Sequence, residues 1–152
     1  MPVELVQGLL DTNIVILRRW IDAADLPAEM AICTITLAEL SAGPHLVRRD
    51  NEQDHYQELA ERARRLDVLQ RAENEFDPIP FDADAARTYG RVAAGVVAAG
   101  RSPRRRTADL MIASVAITHE LPLFTTNPAD FRGLGDLLSV VAVRLPGAAP
   151  RS

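Results

Sequence analysis

The sequence predicts an α/β fold, a parallel sheet covered by helices on both faces. Three observations carry this expectation. Short apolar runs alternate with longer helical segments along the chain, the pattern of strands joined by helical crossovers. Each run is short and apolar, and reads as a buried strand. The length, 152 residues, suits one domain and lets the chain bury roughly 70% of its unfolded surface, enough for one core without staples. No internal repeat or low-complexity block stands out.

The elements follow in order. The first run, residues 6–10, ends in Asp11, and Thr12 and Asn13 start a helix carrying Ile14, Val15, Leu17 and Ile21. After the connector Leu26-Pro27-Ala28-Glu29, residues 30–35 read as a second strand. Thr36 then opens a helix with Leu37, Ala38 and Leu40 on its inner side, interrupted near Gly43-Pro44. Residues 50–72 are charged and helical, with Leu59, Ala63, Leu66 and Leu69 at helical spacing. Residues 76–81 contain Pro78 and Pro80, so at best a short or edge strand forms there. Residues 82–99 are an Ala-rich helix whose C-terminal end suits Gly100. A basic loop, 101–106, leads into an apolar helix over 107–119 built on Leu110, Ile112, Ala113, Ala116 and Ile117. A short strand over 123–125, a turn at Asn127-Pro128-Ala129-Asp130 and a last strand over 138–143 complete the domain, residues 1–145, with 146–152 as a loose tail.

Composition removes several chemistries. All 17 basic residues are arginine, so a Walker-type phosphate lysine, a Schiff base and a lysine general base are excluded. The single cysteine, Cys33, excludes a disulfide within the chain and a multi-cysteine zinc site, and its apolar surroundings read as a buried structural position. His45, His55 and His119 are scattered, and His45 and His55 read as surface or packing groups. Trp20 and Phe131 read as packing residues. The net charge of −4 does not suggest a nucleic-acid binder as a whole, although local patches count for more. The N-terminus lacks a basic region followed by an apolar core. No stretch reaches the ~18 apolar residues that span a membrane. The expected compartment is the cytoplasm.

Carboxylates are left as the carriers of chemistry. Asp11 directly follows the first strand, Glu39 lies in the first turn after the second, Asp109 opens the apolar helix, and Asp130 follows the strand 123–125 by a turn. In a parallel sheet these strand ends share one edge, where ligands bind. Four carboxylates there repel one another unless a cation neutralises them, and hard oxygen donors favour Mg²⁺ or Mn²⁺. Each residue also has a purely structural reading. Asp11 suits an N-cap, Thr36-Leu37-Ala38-Glu39 fits a capping box, Asp109 suits a helix dipole, and Asp130 suits a turn. The joint pattern favours the metal, because neither Asp11 nor Asp109 is needed where it stands for stability alone.

These residues resemble the PIN-domain family and, within it, the VapC-type toxins. The matching motifs are Leu9-Leu10-Asp11-Thr12-Asn13, Thr34-Ile35-Thr36-Leu37-Ala38-Glu39-Leu40, Thr107-Ala108-Asp109-Leu110-Met111-Ile112-Ala113 and Thr125-Thr126-Asn127-Pro128-Ala129-Asp130-Phe131, in family order over residues 6–143. The resemblance implies a three-layer α/β/α domain with a central parallel sheet and a Mg²⁺-dependent ribonuclease, with Mn²⁺ as the alternative ion. It implies that Asp11, Glu39 and Asp109 hold the metal. Asn127 stands at the first acidic place of the last motif and Asp130 at the second, so Asp130 is carried as a further catalytic member. Thr12, Asn13, Thr125 and Asn127 match supporting positions. The resemblance also implies a homodimer and a small VapB-like antitoxin.

The expected reaction is attack of a metal-activated water on an RNA phosphodiester, leaving a 5′-phosphate and a 3′-hydroxyl. Arg104, Arg105 and Arg106, directly before the Asp109 helix, are candidates for an RNA-phosphate clamp, since the planar guanidinium bonds phosphate in pairs; a solvated charged loop is the alternative. The competing function is a catalytically silent PIN-like module that binds RNA or protein. A phosphoacceptor domain also uses strand-end aspartates but relies on a lysine that this chain lacks.

Overall fold

The computed structural model describes residues 7–48 and 55–145. Met1 to Val6, residues 50–54 of the charged helix and the tail 146–152 lie outside the described residues. Strands β1 (Gln7–Leu10), β2 (Glu29–Ala31), β3 (Leu123–Thr125) and β4 (Val140–Ala142) form a sheet of order β2-β1-β3-β4, with every pairing parallel. The helices are α1 (Thr12–Leu17), α2 (Thr34–Ala42), α3 (His55–Glu75), α4 (Ala83–Ala98) and α5 (Thr107–Thr118).

The layering follows from the two-residue period of a strand. Leu9 and Leu123 point to one face and join α4 and α5 through Val92, Val96, Leu110 and Ala113. Their neighbours Leu10 and Phe124 point to the other and join α1, α2 and α3 through Ile14, Val15, Leu40 and Ala72. The result is the three-layer α/β/α arrangement. β1 and β3 run so close that a side chain at Gly8 would meet the Phe124 ring.

Several boundaries differ from the sequence reading. α1 ends at Leu17 and continues as a 3-10 turn over Arg18–Trp20, so Ile21 falls beyond it, in extended backbone. Trp20 does not pack as expected; it stays 60% exposed, with the Arg19 guanidinium 5.2 Å from its ring centroid. Residues 76–81 contribute one bridge, Ile79 to Cys33. Pro78 and Pro80 have no N–H, so Ile79 alone of the three can donate, and it donates to Ile32 (2.9 Å).

α2 begins at Thr34, two residues early, with Cys33 as its N-cap residue. Glu39 therefore sits in the second turn, and no capping box forms with Thr36. Ala38 faces solvent.

α3 packs only the last member of its apolar pattern, Leu69, against the core. Leu59 and Leu66 are 48% and 43% exposed, and Ala63 is exposed too. The docking line instead runs through Arg62 and Arg65, which donate to the Pro44 and Gly43 carbonyls at 3.0 Å each, and on through Val68, Leu69 and Ala72. Long arginine stems pack while their guanidinium heads satisfy the carbonyls at the end of α2.

Candidate active site

In an order β2-β1-β3-β4 the chain leaves β1 toward β2 on one side and later returns to lay β3 on the other. The carboxyl ends of β1 and β3 therefore flank the switch point, where an open α/β sheet leaves a crevice. Asp11 is the residue after β1 and Thr125 the last of β3. Both are buried, at 4% and 0% exposure.

Asp11 is held at both oxygens. Oδ1 accepts the Thr12 N–H (2.9 Å) and Oδ2 accepts the Thr125 hydroxyl (2.8 Å). The first bond makes Asp11 the N-cap of α1, so the capping reading is correct. It is incomplete, because a cap does not require a buried carboxylate tied across the sheet to a second strand. Burial pushes the Asp11 carboxyl above its ordinary range; the Thr125 and Thr12 hydrogen bonds oppose this, and the charges of Glu39 and Asp130 add to it.

Glu39 is reached from α1. The Thr12 hydroxyl donates to Oε1 (2.6 Å) and lies 3.0 Å from the Thr36 hydroxyl. A hydroxyl has one proton. Since Thr12 gives its proton to Glu39, Thr36 is the donor in the second bond. Thr36 is wholly buried, and the sequence reading did not count it as a site residue. Its signal was a threonine three positions before Glu39, on the same helical face.

Asp109 lies in the first turn of α5. Its carboxyl is raised to about 6, first by burial, then by the charges of Asp11, Asp130 and Glu39, against a lowering by Arg106. Asp11, Glu39 and Asp130 are thus close enough to act electrostatically on Asp109. Even so, among the described residues no three of His, Cys, Asp and Glu converge tightly enough to enclose an ion. Asp11 and Glu39 instead accept threonine hydroxyls, and Asp130 forms an ion pair with Arg106.

Of the three arginines of the expected clamp, Arg106 pairs with Asp130, while Arg104 and Arg105 are exposed on the 3-10 turn Pro103–Arg106. Asn13 is exposed. Asn127 is exposed as well; its N–H donates to the Thr125 hydroxyl oxygen (3.0 Å) and its side chain to Thr126 (3.4 Å). Cys33 is buried, Phe131 is 3% exposed, and His45, His55 and His119 are exposed. A separate groove of about 220 Å³ lies between α1 and α3, lined in part by Trp20, Arg19 and Arg64, and contains none of the four carboxylates.

A parallel α/β/α sheet with a buried aspartate at its switch point and further acids from α2 and α5 defines the class. The PIN domain model matches residues 8–137, and the chain belongs to the PIN-domain family. It is 33% identical to Ribonuclease VapC5 of Mycobacterium tuberculosis over 141 residues, covering 91% of this chain and 95% of the relative. Its structure is similar to that of VapBC-5 from Mycobacterium tuberculosis, a member of the VapBC family of toxin–antitoxin systems, with a TM-score of 0.72, 32% identity, and coverage of 92% and 99%. The FitAcB structure from Neisseria gonorrhoeae, at 22% identity, TM-score 0.62 and coverage of 92% and 98%, shares the fold.

Proposed function

We propose that this chain is a metal-dependent endoribonuclease and the toxic component of a VapBC-like toxin–antitoxin pair. One observation carries the reading. Asp11, Glu39 and Asp109 stand at one edge of a PIN sheet, close enough that the charges of the first two add to burial in raising Asp109 to about 6, in a chain 33% identical to a ribonuclease.

The donors are all carboxylate oxygens, which suit a hard cation. Asp11, Glu39 and Asp109 would hold Mg²⁺, with Mn²⁺ as the alternative. When bound, the cation supplies water activation and neutralises charge on the phosphodiester as it reacts. The chain's own residues supply the rest. Thr125 and the Thr12 N–H fix the two oxygens of Asp11. The relay from Thr36 through Thr12 fixes Glu39. Asp109, raised to about 6, is placed to exchange a proton near working pH. Arg104 and Arg105 bind flanking RNA phosphates from the rim.

The proposed partners are RNA, a cognate VapB-like antitoxin and a second copy of the chain, in the cytoplasm. Among the described residues no helix is long and apolar enough to cross a membrane. The test is sequencing of 5′ ends of cellular RNA after induction, beside an Asp11→Asn control. New 5′-phosphate ends that require Asp11 are expected. Ends bearing 2′,3′-cyclic phosphate on the upstream fragment would reject the water-based reaction.

A further inference from the structure

The fourth carboxylate differs from the others in what holds it. Neutral hydroxyls and a backbone N–H orient Asp11 and Glu39 and leave their charge intact. Asp130 instead accepts a hydrogen bond at Oδ1 from Nη1 of Arg106, as an ion pair. The pair is partly withdrawn from solvent, with the side chains 32% and 30% exposed. Arg106 is the residue before α5, three positions ahead of Asp109, and both members of the pair act electrostatically on Asp109. Asp130 has a fixed seat. It lies in the 3-10 turn Pro128–Phe131, its N–H donates to the Asn127 carbonyl (3.0 Å), and the next residue, Phe131, is buried in the core. Arg101 stitches the same two segments together by donating to the Ala129 carbonyl (2.8 Å).

We infer that Asp130 is a positioning residue outside the metal-holding set, and that it aims the Arg106 guanidinium at the carboxylate edge, where the rest of the fork binds the RNA phosphodiester. The inference rests on the nuclease reading above. Its physical basis is charge. An anionic phosphodiester must approach a site holding four carboxylates. Against four, one divalent ion leaves two net negative charges; with Asp130 neutralised by Arg106, one remains. Guanidinium has five N–H donors, and Arg106 gives one of them to Asp130. The others can bond phosphate oxygens while the first anchors the group. Oδ1 of Asp130 is already taken by the Arg106 guanidinium, so a divalent ion at that oxygen would sit beside a second cation and be repelled by it. Arg106 thus separates from Arg104 and Arg105: it serves the reacting phosphate, they serve its neighbours.

The test compares the wild type with Asp109→Asn, Asp130→Asn, Arg106→Gln and the Arg106→Gln/Asp130→Asn double variant. Two quantities are read: Mn²⁺ affinity by calorimetry, and affinity for a labelled single-stranded RNA of mixed sequence, by anisotropy with Ca²⁺ present. Asp109→Asn should lower Mn²⁺ affinity about tenfold or more, whereas Asp130→Asn and Arg106→Gln, which alter a partly solvated ion pair, should each change it less than about threefold. Each of these two should weaken RNA binding about tenfold, and the double variant should be no worse than either single. Arg106→Lys, which keeps the charge and loses the fork, should recover only part of the RNA affinity. The inference is overturned if Asp130→Asn lowers Mn²⁺ affinity as far as Asp109→Asn, or if the two RNA-binding losses add. Arg106→Gln and Asp130→Glu carry the test if Asp130→Asn does not fold. A wild type that binds neither Mn²⁺ nor RNA defeats the nuclease reading itself. A wild type that binds both, with variants that bind RNA equally well, defeats only the pairing.

Discussion

Thr125 shows how much of this site depends on a single proton. Its hydroxyl donates to the buried Asp11 carboxylate and accepts from Asn127. Thr125→Val keeps the shape and removes the donor, leaving a buried carboxylate oxygen without its partner. The expected cost is about 1–3 kcal/mol, read as a lower urea midpoint, with Thr125→Ser retaining most of the stability. Asp109 behaves in the opposite sense. Its carboxyl is raised in the folded state from 3.8 to about 6, so between those values the folded protein binds more protons than the unfolded chain. Its contribution to stability is therefore greatest at low pH and falls as pH rises through this window. In metal-free protein at neutral pH, Asp109→Asn should raise the stability by about 1 kcal/mol after allowance for solvent screening. Cleavage of RNA should nevertheless be lost. A melting temperature that falls in the metal-free variant would contradict the electrostatic account. Asp11, Glu39 and Asp109 were legible as candidates because each stands next to a readable strand or helix. The role of Thr36 was not, because its bond is to Thr12, 24 positions away.

At the scale of the element, local chemistry and tertiary docking divide the outcome. α4 follows local rules: Asp82 caps it by accepting the Ala85 N–H (3.0 Å), and Gly100 beyond its end takes a positive φ of 78°. Asp82→Ala should cost about 1 kcal/mol, seen in chemical denaturation, with RNA cleavage per folded molecule unchanged because Asp82 lies outside the acidic set. α2 and α3 depart from local rules. The Thr34 hydroxyl accepts the Phe81 N–H (3.0 Å), which draws the start of α2 back toward the bridge at Ile79 and moves Glu39 into the second turn. α3 meets the end of α2 through Arg62 and Arg65, which donate to the Pro44 and Gly43 carbonyls. Apolar periodicity records where oily side chains recur; it does not record which face a neighbouring segment can satisfy.

For the molecule as a whole, the acidic edge is an unpaid electrostatic debt that a bound cation offsets. Mg²⁺ or Mn²⁺ should raise the melting temperature with a logarithmic dependence on ion concentration, about 2.7 kcal/mol at a hundredfold excess over the dissociation constant. EDTA should reverse it, and Asp109→Asn should remove most of it. If Asp109 holds the ion as proposed, a proton competes for it, so affinity should fall as pH drops through about 6. Calorimetry in buffers of different ionisation enthalpy should show proton release on binding near that pH. An ion affinity flat across the window would place Asp109 outside the binding set.

By itself the sequence determined the class of fold, the parallel alternation of strands and helices, and the identity of the strand-end acids. Apolar runs, prolines and caps act over a few residues and can be read from a few residues. Its lysine-free composition also excluded lysine chemistry and left carboxylates as the candidate carriers. Only the tertiary structure decided that β1 and β3 would meet at the switch point, that Thr125 would bond Asp11 across 114 positions, and that Arg106 would pair with Asp130 rather than join its two neighbours on the surface. Those outcomes depend on which burial, hydrogen-bond and charge requirements can be met together in space, and that is settled only when distant segments share one edge of the sheet.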